Sequence, residues 1–99
     1  MTAPIYNRVA LIGLGLIASS MAHAMKANGL AGEIVGYART EATRATALRL
    51  GLISQAYGTA ADAADGADLV ILCSPVGVYG AIAQEIGPHL APGAIVSDV

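Results

Sequence analysis

The sequence predicts an α/β fold, an open parallel sheet of five strands in the order 3-2-1-4-5 with helices on both faces. Two continuous apolar runs, Val9-Ala10-Leu11-Ile12 and Leu69-Val70-Ile71-Leu72-Cys73, are written as strands covered on both faces rather than as half-buried alternations. Stretches with helical periodicity or helix start and stop signals follow the strands. Short turns marked by Gly, Pro and Asn join the pieces, so strand and helix alternate as right-handed crossovers require.

Residues 1–7 read as a loose lead-in, because Pro4 and Asn7 interrupt any pattern. After strand one, at 9–12, the chain must turn at Gly13 and Gly15, where a backbone without a Cβ can take positive φ or lie against a ligand. Helix one covers residues 16–28, with Ile17, Met21, Ala24, Met25 and Asn28 on one face. Lys26 suits its negative end, and Asn28-Gly29 closes it. Residues 29–32 read as a turn and 33–37 as strand two. Helix two spans 40–50, with Glu41 in its first turn and Gly51 as its stop. Residues 52–56 form a short third strand, and Thr59-Ala60-Ala61-Asp62 resembles a capping box opening an alanine helix to Asp65. Strand four, at 69–73, ends in Ser74-Pro75, which supply an N-cap and a first helical position. The next helix has an apolar face of Tyr79, Ile82, Ala83 and Ile86 and stops at Gly87-Pro88. A turn at 91–93 leads into strand five at 94–99.

The spacing Gly13-x-Gly15-x-x-Ala18 is the dinucleotide fingerprint in its G-x-G-x-x-A form, and with the strand pattern it defines a Rossmann-type fold. A chain with 12 Gly and so much Ala produces roughly half a match to this pattern by chance, so the weight lies in its position between a buried strand and a helix. The first N–H groups of that helix lack intrahelical partners and face the turn, an anion site for a pyrophosphate. The expected cofactor contacts here are Gly13, Gly15, Leu16, Ile17 and Ala18. The strand order brings the ends of strands one and four to one crevice, which adds Cys73, Ser74 and Pro75.

An acid about 20 residues beyond the fingerprint would bond a ribose 2′-hydroxyl, whereas an Arg there accommodates a 2′-phosphate. That count reaches Ala38, followed by Arg39 and Thr40. The missing acid, the cation and the hydroxyl lean to NADP over NAD. The other reading has Arg39 lying over the adenine and Thr40 capping helix two.

At 56% hydrophobic and 12% charged residues the chain is more apolar than an ordinary domain, and some of its surface is expected to be covered by something outside this sequence. Its five basic residues are scattered against seven acids, which argues against a nucleic-acid or anionic-membrane partner. The single cysteine excludes an internal disulfide and offers no metal cluster. No segment has the length of a membrane span, and residues 1–8 lack the basic-then-apolar order of a signal peptide, so the expected location is cytoplasmic. Asp62, Asp65 and Asp68 read as a solvated rim, not a metal site.

Chemistry beyond the cofactor's is harder to find. His23 falls among alanines mid-helix, His89 follows the Gly87-Pro88 stop at the edge away from the strand ends, and Cys73 has no basic neighbour in sequence. Asp98 ends strand five near the crevice, but position alone makes no catalyst. No catalytic residue is assigned. Residues 1–99 read as one nucleotide-binding domain whose catalytic half lies beyond Val99.

Val9 to Ala22, with its Gly-Leu-Gly-Leu-Ile block, then Ile34-Val35-Gly36-Tyr37-Ala38-Arg39, the stretch from Ala67 to Val76 and the closing Ser97-Asp98-Val99 resemble the N-terminal domain of prephenate dehydrogenases. More narrowly they resemble bacterial cyclohexadienyl dehydrogenases, which accept prephenate or arogenate. The resemblance implies NAD(P)-dependent oxidative decarboxylation on the route to tyrosine. It also implies a continuation into Gly-Ser-Val-Lys, a catalytic His and a helical domain that binds substrate and pairs subunits into a homodimer. Ala18 and Ala38 stand where the family often has Gly and Asp. Two other readings stay open: a dinucleotide-sensing module without catalysis, and methyl transfer from S-adenosylmethionine, which would want an acid where Ala38 stands.

Overall fold

The chain runs β1 (Tyr6–Ile12), α1 (Leu16–Asn28), β2 (Ala31–Tyr37), α2 (Glu41–Arg49), β3 (Gln55–Tyr57), α3 (Ala60–Ala64), β4 (Leu69–Leu72), α4 (Tyr79–Ile86) and β5 (Ile95–Asp98). The computed structural model describes residues 6–14, 16–73, 79–90 and 92–98. Residues 1–5, Gly15, Ser74 and Pro75 therefore lie outside it, as do the side chains of Leu16, Ile17, Tyr79 and Asp98.

All strand pairs are parallel, and the sheet order is β3-β2-β1-β4-β5, the order the sequence predicts. Ile12 stands beside both Tyr37 and Leu72, Tyr37 beside Tyr57, and Leu72 beside Asp98. The carboxyl ends of all five strands thus form one level edge.

Successive strand residues point to opposite faces, so the continuous apolar runs feed two separate cores. Val9, Leu11, Ile34, Leu69 and Ile71 pack with Ala18, Ala22 and Met25 of α1 and Ala47 of α2. Ala10, Ile12, Val35, Val70 and Leu72 pack with Ala60, Ala63 and Ala64 of α3 and Ile82 and Ile86 of α4. Each fully buried Val, Leu or Ile contributes about 1.5–3 kcal/mol, and Val9, Leu11, Ile12, Val35 and Val70 are all sealed from solvent. Arg8 crosses the second face, donating to Glu33 Oε1 at 2.7 Å and to the Tyr57 hydroxyl at 3.1 Å, and so laces β1, β2 and β3 together.

Helix α1 has the expected bounds, but its buried face is turned. Ala18, Ala22 and Met25 are buried and Met21 partly so, whereas Ala24 and Asn28 are exposed. Over its first turns the helix rests on the sheet through the small side chains Ala18 and Ala22, and alanine carries little weight in a hydrophobic pattern. Both α1 and α2 end in paired backbone bonds beyond the last turn: Leu30 N–H to Met25 O and Gly29 N–H to Lys26 O, then Leu52 N–H to Ala47 O and Gly51 N–H to Leu48 O.

That second cap moves strand three. Leu52 is committed to the helix end, so β3 starts at Gln55 rather than at 52, and Leu52 and Ile53 become buried plugs in the first core. Strands β1 and β2 start earlier than predicted, because the Tyr6 N–H donates to Leu30 O and Tyr6 pairs with Ala31. Thr59 caps α3, accepting from the Asp62 N–H at 3.2 Å. Strand β4 closes at Leu72, one residue short of the prediction. In α4, Ile82 and Ile86 are buried as expected, but Ala83 is exposed, and the helix runs on into a single 3-10 turn, Gly87–His89. Leu48, Leu50, Ile95 and Val96 are exposed. These are the apolar residues to which the expectation of a covering element attaches.

Candidate functional site

Gly13 begins the site, one residue past the end of β1. Its φ is 100°, a conformation an L side chain resists, and its N–H donates to Tyr37 O at 2.9 Å, so the chain leaves the sheet in a fixed direction. Leu14 then folds back over β2. A Cβ on Gly36 would lie 2.8 Å from Leu14 Cδ2, so the bare backbone of β2 is what lets the turn tuck down. Beyond it α1 opens with no acidic residue in its first turn, leaving the positive end of the helix without an internal counter-charge. Ala18 is fully buried against the β1 face, the close helix-to-strand contact that the fingerprint's third position requires.

The end of β4 lies beside this turn: the Cys73 N–H donates to Ile12 O at 2.8 Å. Gly13 and Cys73 are therefore neighbours across the point where the strand order reverses, the place where doubly wound sheets hold ligands. The Cys73 thiol is half-buried, donates to Ile71 O at 3.7 Å, and burial pushes its pKa up, which keeps it protonated. Asp68 fixes the opposite ends of the same two strands. Its carboxylate accepts the N–H groups of Asn7 at 2.9 Å and Arg8 at 2.8 Å. Desolvation raises its pKa, but those bonds and that from its own N–H outweigh it and hold the carboxyl below its ordinary value. The expected acidic rim thus divides: Asp62 and Asp65 are exposed, whereas Asp68 is a clamp.

At the end of β2, Ala38 is buried and Arg39 exposed. Thr40 caps α2, its Oγ1 accepting from the Thr43 N–H at 3.4 Å and sharing a 2.8 Å hydrogen bond with Thr43 Oγ1. Arg44 is the residue the sequence reading missed. It sits one turn into α2, where side chains lean back toward the helix start, and Nη1 donates to Ala38 O at 2.6 Å and to Arg39 O at 3.3 Å. That lean was the available signal.

The structure therefore brings Gly13, Ala18, Ala38, Arg39, Thr40 and Cys73 to one edge, with Leu16 and Ile17 opening α1 there. Gly15, Ser74 and Pro75 lie outside the described residues. The histidines are elsewhere. His23 is exposed mid-α1, and His89 sits toward the amino edge, 3.9 Å from Asp65, with its carbonyl accepting the Gly66 N–H. Asp98, beside Leu72, stands on the carboxyl edge. Among the described residues no group of three His, Cys, Asp or Glu is placed to hold a metal, and no helix is long and apolar enough to cross a membrane.

The family model for the prephenate dehydrogenase nucleotide-binding domain matches residues 21–99. The chain belongs to this family. The match begins after the glycine turn, so the turn and the family assignment are separate observations. A cyclohexadienyl dehydrogenase of Zymomonas mobilis is 37% identical over 94 residues, which make up 95% of this chain and 32% of that one. A prephenate dehydrogenase of A. aeolicus, solved with hydroxyphenyl propionate and NAD+, superposes with a TM-score of 0.84 at 29% identity, covering 93% of this chain and 32% of that one. The arogenate dehydrogenase of Synechocystis gives 0.82 at 29% identity, with the same coverage. The chain spans about a third of the length of these relatives.

Proposed function

We propose that the chain is the dinucleotide-binding part of an NAD(P)-dependent prephenate or arogenate dehydrogenase. The observation that carries this is the Gly13 turn, held at positive φ beside Cys73 on the carboxyl edge of a parallel sheet. A dinucleotide fits the residues present. The first turn of α1 has no acid to repel a pyrophosphate, buried Ala18 lets helix and strand close up behind it, and no side chain at Gly13 fills the approach. Gly13, Gly15 and the first residues of α1, Leu16 and Ile17, would hold the pyrophosphate. Ala38, Arg39 and Thr40 would take the adenosine ribose, and Cys73, Ser74 and Pro75 the nicotinamide side. When bound, the nicotinamide supplies hydride chemistry.

The β2–α2 loop favours NADP over NAD, since buried Ala38 offers no carboxylate to a 2′-hydroxyl and Arg39 lies exposed beside it. In the whole protein the remaining two thirds would bind the dienyl acid, supply the proton-transferring group and pair the subunits into a homodimer in the cytoplasm, on the route to tyrosine. The test is a fluorescence titration with NADH and NADPH. Saturation by at least one is expected, and no saturation by either at millimolar concentration defeats the proposal.

A further inference from the structure

We infer that Arg44, through its charge, is a specificity-determining residue for the group on the adenosine ribose 2′ position and favours a 2′-phosphate; this rests on the nucleotide reading above. Its guanidinium reaches from α2 to the carboxyl edge and bonds the carbonyls of Ala38 and Arg39, the two residues that follow β2. On the other side is the loop after β3, where a Cβ on Gly58 would lie 3.8 Å from Nη1 and 3.9 Å from Cζ. The cation is wedged between the loops that leave two neighbouring strands, half-buried and held by two contacts. Both bonds use Nη1 and both acceptors are neutral carbonyls, so they orient the group without cancelling its charge. Among the described residues no carboxylate lies within ion-pair distance of Arg44 or Arg39. Glu41, in the first turn of the same helix, is exposed. A second uncompensated guanidinium beside Arg39 makes this corner of an otherwise acidic chain locally positive. A fixed, partly desolvated fork suits a phosphate better than a mobile surface cation does.

Titrations of wild type, R44A, R44K and R44Q with NADPH and NADH test this, with a thermal melt of each variant as the folding control. R44Q removes the charge but keeps a polar side chain of shorter reach, and the melts show whether losing the bonds to Ala38 O and Arg39 O unsettles the loop. R44A and R44Q are expected to lose about tenfold in NADPH affinity, the worth of one charge-assisted hydrogen bond, while NADH affinity changes less than about threefold. R44K, which keeps the charge without the fork, should retain more of the NADPH affinity than R44A or R44Q, with NADH affinity within about threefold of wild type. An unmoved NADPH-to-NADH ratio in R44A and R44Q, an equal loss of both coenzymes, or R44K failing as R44A does would overturn the inference. A wild-type protein that binds neither coenzyme removes the nucleotide reading itself, and the inference with it.

Discussion

Replacing Asp68 should loosen the two strands that flank the site. Its carboxylate holds the Asn7 and Arg8 N–H groups at 2.9 and 2.8 Å, and the same strands meet at their far ends through the Cys73 N–H and Ile12 O. A hydrogen bond to a charged group contributes about 1.5–3 kcal/mol when shielded, but Asn7 is exposed and its donor can turn to water. Discounted for that, Asp68→Ala is expected to cost about 1.5–2.5 kcal/mol, or a fall in Tm of roughly 6–20 °C for a domain of this size. Asp68→Asn keeps one oxygen acceptor and should lose about half as much. The folded pKa lies below the unfolded value, so the carboxylate's contribution is complete above about pH 4 and disappears as pH falls through the folded pKa. Melts followed by circular dichroism at pH 7 and at successively lower pH check both parts. Equal Tm values for wild type and Asp68→Ala at pH 7, or a wild-type to Asp68→Asn gap that does not narrow on acidification, would refute the reasoning.

Three further outcomes follow from the site. Gly13→Ala forces a Cβ into a backbone at φ 100°, which should destabilise the domain by about 1–3 kcal/mol and abolish coenzyme saturation, read by melts and titration. Ala38→Asp places a carboxylate beside the position of a ribose 2′ group, so the ratio of NADPH to NADH affinity should fall about tenfold or more; an unchanged ratio means that this loop does not read the ribose. Cys73, with its pKa raised by burial, should alkylate with iodoacetamide at neutral pH several times more slowly than free cysteine, followed by mass spectrometry.

The sheet order was legible because the runs at 9–12 and 69–72 carry no polar residue and each leads into a helix signal. The ends of α1 and α2 were legible because Asn28-Gly29 and Gly51 mark backbone caps that the structure forms. The buried face of α1 was not, since Ala18 and Ala22 matter for being small, and a pattern read from Ile17 and Met21 points elsewhere. Strand three was misplaced because one N–H, that of Leu52, went to a helix end instead of a ladder. The roles of Arg44 and Asp68 were harder to read for a related reason: their partners are main-chain carbonyls and N–H groups, which every residue has. The positive φ of Gly13 and the close packing of Ala18 could be read because both depend on what those residues lack, a Cβ in one and bulk in the other.

The most direct test of the account maps a bound dinucleotide onto the backbone, by amide chemical shifts of isotope-labelled protein during titration with NADPH. The largest changes are expected at Gly13, in the first turn of α1, at Cys73 and in Ala38-Arg39-Thr40, with the amino edge near His89 and Asp65 unmoved. Saturable changes centred on that amino edge, with the Gly13 and Cys73 amides still, would contradict it.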